Sequence, residues 1–357
     1  MDHLRDLPAS RLLDELRALG DTPQGARDVV LNLHRHGARD WTALGAGKAR
    51  RARMEERFRF GPLLEPAGLR TAADGTRKYL FRAGKDVEVE IVLIRAGKRV
   101  TACVSSQAGC ALGCTFCATA AMGLVRDLSA GEITESILLA EREAGVRVSD
   151  VVFMGQGEPL QNYDAVMAAC GNLNHQYGPG IGRKHISIST SGLVPQILRF
   201  AAEKQRWRMY LSLHAAVQET RAALMPVARR WPLPELLDAM RTVQRACAMP
   251  WLTFQYVAIP GVNMDDRHVD ALATELWGLN YILNVIPWNE IDAPYRPPTW
   301  AEVKDFTTRL RRVGCPVKIR YSAGKREGMG CGQLSAETVA VEATAGHSLA
   351  PPGIFTG

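Results

Sequence analysis

The chain has 357 residues, 46% of them hydrophobic, with eight cysteines and a formal net charge of +7. This is enough for one large domain, or one domain plus an appendage, around a real core. No apolar run reaches bilayer length, and the N-terminal run Met-Asp-His-Leu-Arg-Asp-Leu-Pro carries both charge signs and no hydrophobic stretch, so neither a membrane span nor a signal peptide is expected.

Residues 1–60 read as a small helical module. Leu12, Leu13, Leu16 and Leu19 recur at helical spacing until Gly20, and a second helix starts near Pro23, buries Val29, Val30 and Leu33, and ends at Gly37. Docking, RNA contact or a structural cap are the roles open to it. Residues 61–98 are β-rich, with Lys78–Arg82 and Val87–Arg95 predicted as a hairpin turning at Gly84-Lys85-Asp86. From residue 99 to 343, strands alternate with helices. The strands are Val100–Val104, Val151–Met154, His185–Ser189, Tyr210–Leu213, Thr253–Ile259, Ile282–Ile286 and Val317–Tyr321. The helices include Ile133–Ala144, opened by a capping box of Ser129 and Glu132, and Leu233–Cys247. Apolar strands separated by helices predict an α/β fold, a parallel sheet curled into a full or partial barrel. The tail, 344–357, is small and contains Pro and Gly, and is predicted to be flexible.

In such folds the chemistry gathers at the C-terminal ends of the strands, and the informative motifs follow those ends. The loop after the first barrel strand reads Cys110-Ala-Leu-Gly-Cys114-Thr-Phe116-Cys117. Three closely spaced thiolates suit three irons of a [4Fe–4S] cluster and leave a fourth iron free. Structural zinc wants four ligands, and no obvious fourth stands beside these three. The spacing resembles that of radical S-adenosylmethionine (SAM) enzymes, in which SAM occupies the free iron and is split by one electron. Gly157-Glu158-Pro159 follows the second strand and sets a carboxylate, suited to a ligand ammonium, beside an approachable backbone. Ser189, Ser212, His214 and Asn289 stand at later strand ends and suit a ribose, an adenine or a carboxylate. Cys331 lies in a glycine-flanked loop after the last strand, and Cys103 ends the first strand. They read as a working pair at one rim or as two buried thiols; Cys170, Cys247 and Cys315 read as packing. The predicted location is the cytoplasm, where thiols stay reduced.

The charge surplus fits either an ordinary surface or an anionic partner such as RNA. Local basic runs occur at Lys48, Arg50, Arg51 and Arg53, at Arg229-Arg230, at Arg309, Arg311 and Arg312, and at Lys325-Arg326.

The run Cys103-Val-Ser-Ser-Gln-Ala-Gly-Cys110 through Cys117-Ala-Thr resembles the bacterial dual-specificity 23S rRNA and tRNA adenine-C2 methyltransferases of the radical SAM superfamily. The likeness continues at Phe153-Met-Gly-Gln-Gly-Glu-Pro-Leu-Gln-Asn162, Ile188-Ser-Thr-Ser-Gly192, Leu211-Ser-Leu-His-Ala215, Asn284-Val-Ile-Pro-Trp-Asn289 and Cys331-Gly-Gln-Leu334, over nearly the whole chain. The resemblance implies a partial (β/α)6 radical SAM barrel with a small N-terminal helical domain and a β-hairpin extension. It implies a [4Fe–4S] cluster on Cys110, Cys114 and Cys117, and two SAM molecules per turnover. One SAM methylates Cys331. The other gives an adenosyl radical that activates the S-methyl group for addition to the adenine carbon. Cys103 then releases the product as a Cys103–Cys331 disulfide, and Glu90 takes the C2 proton. Gly157, Glu158, Ser189, Ser212, Leu213, His214 and Asn289 match the SAM contacts. The implied partners are 23S rRNA, tRNA and an electron donor such as flavodoxin or ferredoxin, with no membrane and a monomeric enzyme.

The chain departs from the family pattern at Gln156, usually Met, at Trp288, usually Phe, and in Ala323-Gly-Lys-Arg-Glu-Gly-Met-Gly-Cys331, which lacks the usual Asp-Ile and alanines. That last stretch puts the substrate in question. The competing readings are the same chemistry at adenine C8 or on a small molecule, and a non-catalytic iron–sulfur RNA-binding protein. Gly-Glu-Pro-Leu favours C2 over C8, and retention of Cys103 and Cys331 argues against the non-catalytic reading.

Overall fold

The computed structural model describes residues 1–85 and 87–334. Asp86 of the predicted turn, the end of the barrel segment beyond 334 and the predicted tail lie outside the described residues. Ten strands form one sheet in which spatial order is chain order. They are β1 (Glu65–Thr71), β2 (Arg77–Arg82), β3 (Glu88–Ala96), β4 (Arg99–Val104), β5 (Asp150–Phe153), β6 (Ile186–Thr190), β7 (Arg208–Ser212), β8 (Leu252–Ala258), β9 (Tyr281–Pro287) and β10 (Val317–Ile319). Pairs from β1 to β4 are antiparallel. Pairs from β4 to β10 are parallel. Parallel neighbours need long crossovers, and each of the six here contains a helix, such as Ala130–Ala144, Tyr163–Asn174, Val194–Ala202, Leu233–Ala246, Asp266–Glu275 and Trp300–Arg312. The edges β1 and β10 do not pair, so the barrel stays open. The capping box is present: Ser129 Oγ accepts from Glu132 N–H, and Glu132 returns the bond to Ser129 N–H at 2.8 Å.

The expected hairpin is larger than predicted. β2 and β3 do pair, but β1 precedes them and β3 continues onto β4, so the extension and the barrel share one sheet. β1 carries Pro66 and a register shift between Pro66 and Gly68, which breaks the alternation that marks a strand.

Register sorts the side chains. Residues paired across a sheet stand on the same face. One face therefore carries Cys103 with Val92 and Val152, then Ser187, Ser189, Ser212, Gln255, Asn284 and Lys318. The opposite face carries Ile188, Leu211, Phe254, Leu283 and Val285, all in the core under the helices. The barrel lumen is thus the polar face.

The N-terminal residues have their own small core, which includes Leu12, Leu16, Val29, Leu33, Leu44 and Phe58. Three helices serve it, not two: Ala9–Ala18, Pro23–His34 and Lys48–Glu55. The third holds the basic run 48–53. Arg50 and Arg53 share Asp21 and Arg51 is paired with Glu55, so part of that charge is offset within the module.

A buried polar patch docks the module. Arg5 (0% exposed) lies 3.5 Å from Glu135 (2% exposed) on the first barrel helix, and Arg39 lies 3.3 Å from the other oxygen. Arg5 also donates to the carbonyls of Leu33 (3.0 Å) and Ala38 (2.5 Å). Leu63 N–H donates to Glu135 at 2.9 Å. Asp6 accepts from Gly131 N–H at that helix's N-terminus (2.9 Å), where a Cβ on Gly131 would sit 2.6 Å from the Asp6 carboxylate. Removing one partner of a buried pair leaves an uncompensated charge. Glu135→Ala is therefore expected to lower stability by about 3–5 kcal/mol, read as the urea midpoint and slope; an unchanged midpoint would show that the patch does not hold the module.

Candidate active site

The C-terminal ends of the strands surround a cavity of about 1000 Å³, counting its open mouth. Cys110, Cys114, Cys117, Gly157, Glu158, Ser189, Ser212, His214, Asn289 and Cys331 all line it. A second cavity of about 720 Å³ adjoins it and is lined by Cys103, Arg320 and, again, Cys331. Two predicted positions line neither. Leu213 is buried behind the wall, where its N–H donates to Gln255 O (3.0 Å) and its carbonyl accepts from Arg221 Nε (3.2 Å). Glu90 lies deep in β3, 2.8 Å from Lys78 Nζ, and its other oxygen accepts from Gln156 Nε2 at 3.1 Å.

The cysteine loop has little regular structure between Gly109 and Ala118 and is held from outside. Cys110 N–H donates to Gly123 O (2.8 Å), Thr115 N–H to Leu224 O (3.0 Å), and Trp288 Nε1 to Phe116 O (3.0 Å). Phe116 meets His214 edge-on, with centroids 4.8 Å apart. Burial pushes the Cys110 thiol up to about 11 and raises Cys114 as well. Iron takes the thiolate, so loading a cluster here releases protons.

Glu158 is buried, and burial raises its pKa against the hydrogen bonds it accepts. Its oxygens accept from Ser191 N–H (2.7 Å) and Leu160 N–H (3.0 Å), which leaves lone pairs on a carboxylate that faces the cavity. Gly157 has φ +93°, and a Cβ there would sit 2.5 Å from Gln107. Gln107 supports this turn: its Oε1 accepts from Glu158 N–H (2.8 Å) and its Nε2 donates to Asp127 (2.7 Å).

His214 is neutral. Burial and the nearby Arg221 cation push it down to about 3. Its Nδ1 accepts from Val257 N–H (3.0 Å), so the proton sits on Nε2. Arg221 is buried beneath the site and donates to Ser191 O at 2.7 Å. Ser189 and Ser212 hydroxyls lie 3.3 Å apart.

The Cys331 loop is more firmly tied than its glycines imply. Asn289 Nδ2 donates to Cys331 O (2.9 Å) and Ser322 Oγ (2.8 Å), Ala118 N–H to Gly332 O (2.8 Å), and Thr119 Oγ1 to Leu334 O (2.6 Å). All eight cysteines are unpaired, and the implied Cys103–Cys331 disulfide is not formed. Burial drives Cys103 up to about 12, with the charge of Cys331 adding and Arg320 opposing. Cys331 is exposed into the two cavities yet enclosed by protein, and its pKa is raised by burial against Arg320.

These residues suit a cluster with SAM. Three soft thiols line one cavity, the donor type that iron–sulfur ligation takes. Gln255 also lines the cavity, and neither the nitrogen nor the oxygen of its buried amide has a hydrogen-bond partner. Motif reading does not single out Gln107, Arg221 and Lys78, because their partners Glu158, Ser191 and Glu90 lie outside their own local motifs, nor Gln255, which stands inside an ordinary apolar strand pattern.

Comparison with known proteins agrees. Residues 104–273 match the model of the radical SAM superfamily. The chain is 43% identical over 298 residues to the "Probable RNA methyltransferase" of Anaeromyxobacter sp. strain Fw109-5, covering 81% of this chain and 88% of that one. It is 38% identical over 336 residues to the "Probable dual-specificity RNA methyltransferase RlmN" of Symbiobacterium thermophilum, covering 93% and 90%. The crystal structure of a radical SAM methyltransferase from Sphaerobacter thermophilus superposes with a TM-score of 0.87 at 39% identity, covering 94% of this chain and all of that one. Fold and site thus define a radical SAM enzyme that uses SAM and a [4Fe–4S] cluster. Within that superfamily, the chain belongs to the RlmN family of dual-specificity RNA methyltransferases. Among the described residues no helix is long and apolar enough to cross a membrane.

The thiol environments predict an order of reactivity in the cluster-free protein. Iodoacetamide should modify Cys331 before Cys103, because Cys331 opens into both cavities. With a pKa near 12, Cys103 should label about tenfold faster for each pH unit between 7 and 10, since only the thiolate reacts. Peptide mass spectrometry reads both rates; a Cys103 rate that is flat with pH would contradict the assigned environment.

Proposed function

We propose that this chain transfers a methyl group to C2 of adenosine in 23S rRNA, and in tRNA, through an S-methylated Cys331. The supporting observation is that Cys331 lines two adjoining cavities, one with Cys110, Cys114 and Cys117 and the other with Cys103. A carrier thiol needs access to both its activating group and its resolving partner.

In this reading Cys110, Cys114 and Cys117 hold the cluster. With SAM bound, the cluster supplies the single-electron chemistry that activates an otherwise inert methyl group. Glu158 accepts from the SAM ammonium, and Ser189, Ser212, the neutral His214 and Asn289 take its remaining polar groups; the turn at Gly157 lets the backbone approach. Leu213 contributes through its backbone. Asn289 has a second task, fixing the Cys331 carbonyl and thereby the reach of the thiol. Cys331 becomes bonded through its methylene to the adenine carbon, and Glu90, oriented by Lys78 and Gln156, takes the proton from C2. Cys103 then attacks the Cys331 sulfur; the bond from that sulfur to the methylene carbon breaks, the carbon keeps the electron pair and takes a proton to become the methyl group, and a disulfide is left to be reduced. A one-electron donor such as flavodoxin or ferredoxin serves a monomeric enzyme.

Cys103→Ala should therefore accumulate a protein–RNA adduct through Cys331, because nothing remains to attack the thioether sulfur. Cys331→Ala should give neither adduct nor product. Denaturing electrophoresis with and without ribonuclease reads the difference. Free methylated RNA at the normal rate from Cys103→Ala would show that Cys103 is only a packed thiol.

A further inference from the structure

The largest unexplained feature lies at the opposite end of the barrel. A cavity of about 1680 Å³, counting its open mouth, is formed by the N-terminal ends of β6 to β10 and shares no lining residue with the active cavity. Five cations line it: Arg183 and Lys184 just before β6, Arg206 and Arg208 at β7, and Lys318 on β10. Among the described residues no carboxylate lines it, and none of the five cations is held in an ion pair. Asp150, the carboxylate at this end of β5, is occupied by Arg99 at 2.6 Å and His185 at 2.8 Å. Arginines elsewhere are commonly matched, as Arg199 is by Asp164 and Glu203, and Arg309 by Asp266 and Asp305. Five like charges facing one concavity repel each other, and an anion relieves that repulsion.

Two further observations narrow the ligand. Trp207 lines the cavity, and its buried indole Nε1 has no hydrogen-bond partner. Trp251, 52% exposed, also lines the cavity, beside Tyr210. An exposed indole beside cations joins a stacking surface to phosphate donors. A small carboxylate would leave the indole idle, and a flat protein surface would not fill a cavity reaching Thr253 and Asn284 in the lumen.

We propose that this cavity binds a phosphorylated nucleoside, its phosphates on Arg183, Lys184, Arg206, Arg208 and Lys318 and its base on Trp251. The ligand is either a free nucleotide or a nucleotide of a bound RNA. The inference does not depend on the methyl-transfer reading.

Fluorescence anisotropy on the full-length protein tests it, with N-methylanthraniloyl-ATP and a fluorescein-labelled RNA decamer as probes. Wild-type protein should bind at least one probe, with an affinity that falls as salt rises. The double variant Arg208→Glu, Lys318→Glu should bind about tenfold or more weakly, and Trp251→Ala about fivefold or more weakly. Arg312→Glu, on the exposed helix Trp300–Arg312, should bind like wild type. Unlabelled ATP displacing the nucleotide while unlabelled RNA does not identifies the free nucleotide as the ligand; the converse identifies RNA. Melting curves check that each variant folds, and Trp251→Ala carries the test if the charge reversals do not. The proposal is overturned if wild type binds neither probe more tightly than about 1 mM, or if folded Trp251→Ala and the double variant bind both probes as Arg312→Glu does.

Discussion

The active cavity depends on a short irregular loop keeping three thiols in place. Nothing in Cys110–Cys117 forms regular secondary structure, so its geometry is imposed by its surroundings. Gly123, Leu224 and Trp288 each anchor one point of its backbone, and the short strand Gln107–Gly109, paired with Leu124–Asp127, leads into it. The Cys331 loop is tied to the same frame through Ala118, Thr119 and Asn289. Cys331 and the three thiols of Cys110–Cys117 are therefore positioned by one hydrogen-bonded unit. Trp288 adds an indole N–H to that unit.

Charge in the site is arranged by burial. Burial drives the Cys110 and Cys114 thiols towards their protonated form. Arg221 lies beneath as a fixed buried cation, and the same cation helps hold His214 neutral. The Gln156 amide donates to Glu90, whose other oxygen faces Lys78.

Local patterns were legible in the sequence and long-range partnerships were not. The seven barrel strands, the Ser129–Glu132 cap and the cysteine spacing each depend on residues within a few positions of one another. Lys48–Glu55 escaped notice because only Met54 of that helix is buried and no apolar stripe marks it. β1 was hidden by Pro66 and its register shift. The basic run 48–53 fits an ordinary surface or an anionic partner on sequence alone, and its partner Asp21 lies on another part of the module. Arg221 beneath the site and Gln255 in its wall became visible only once strands β7 and β8 lay side by side.

Base-resolved mass spectrometry of 23S rRNA and tRNA from a strain lacking this gene tests the central claim most directly. The account predicts loss of 2-methyladenosine, with the adenine unmodified in its place, restored by the wild-type gene but not by one encoding Cys331→Ala. Unchanged 2-methyladenosine in both RNAs, or loss of a C8-methylated adenosine instead, would contradict it.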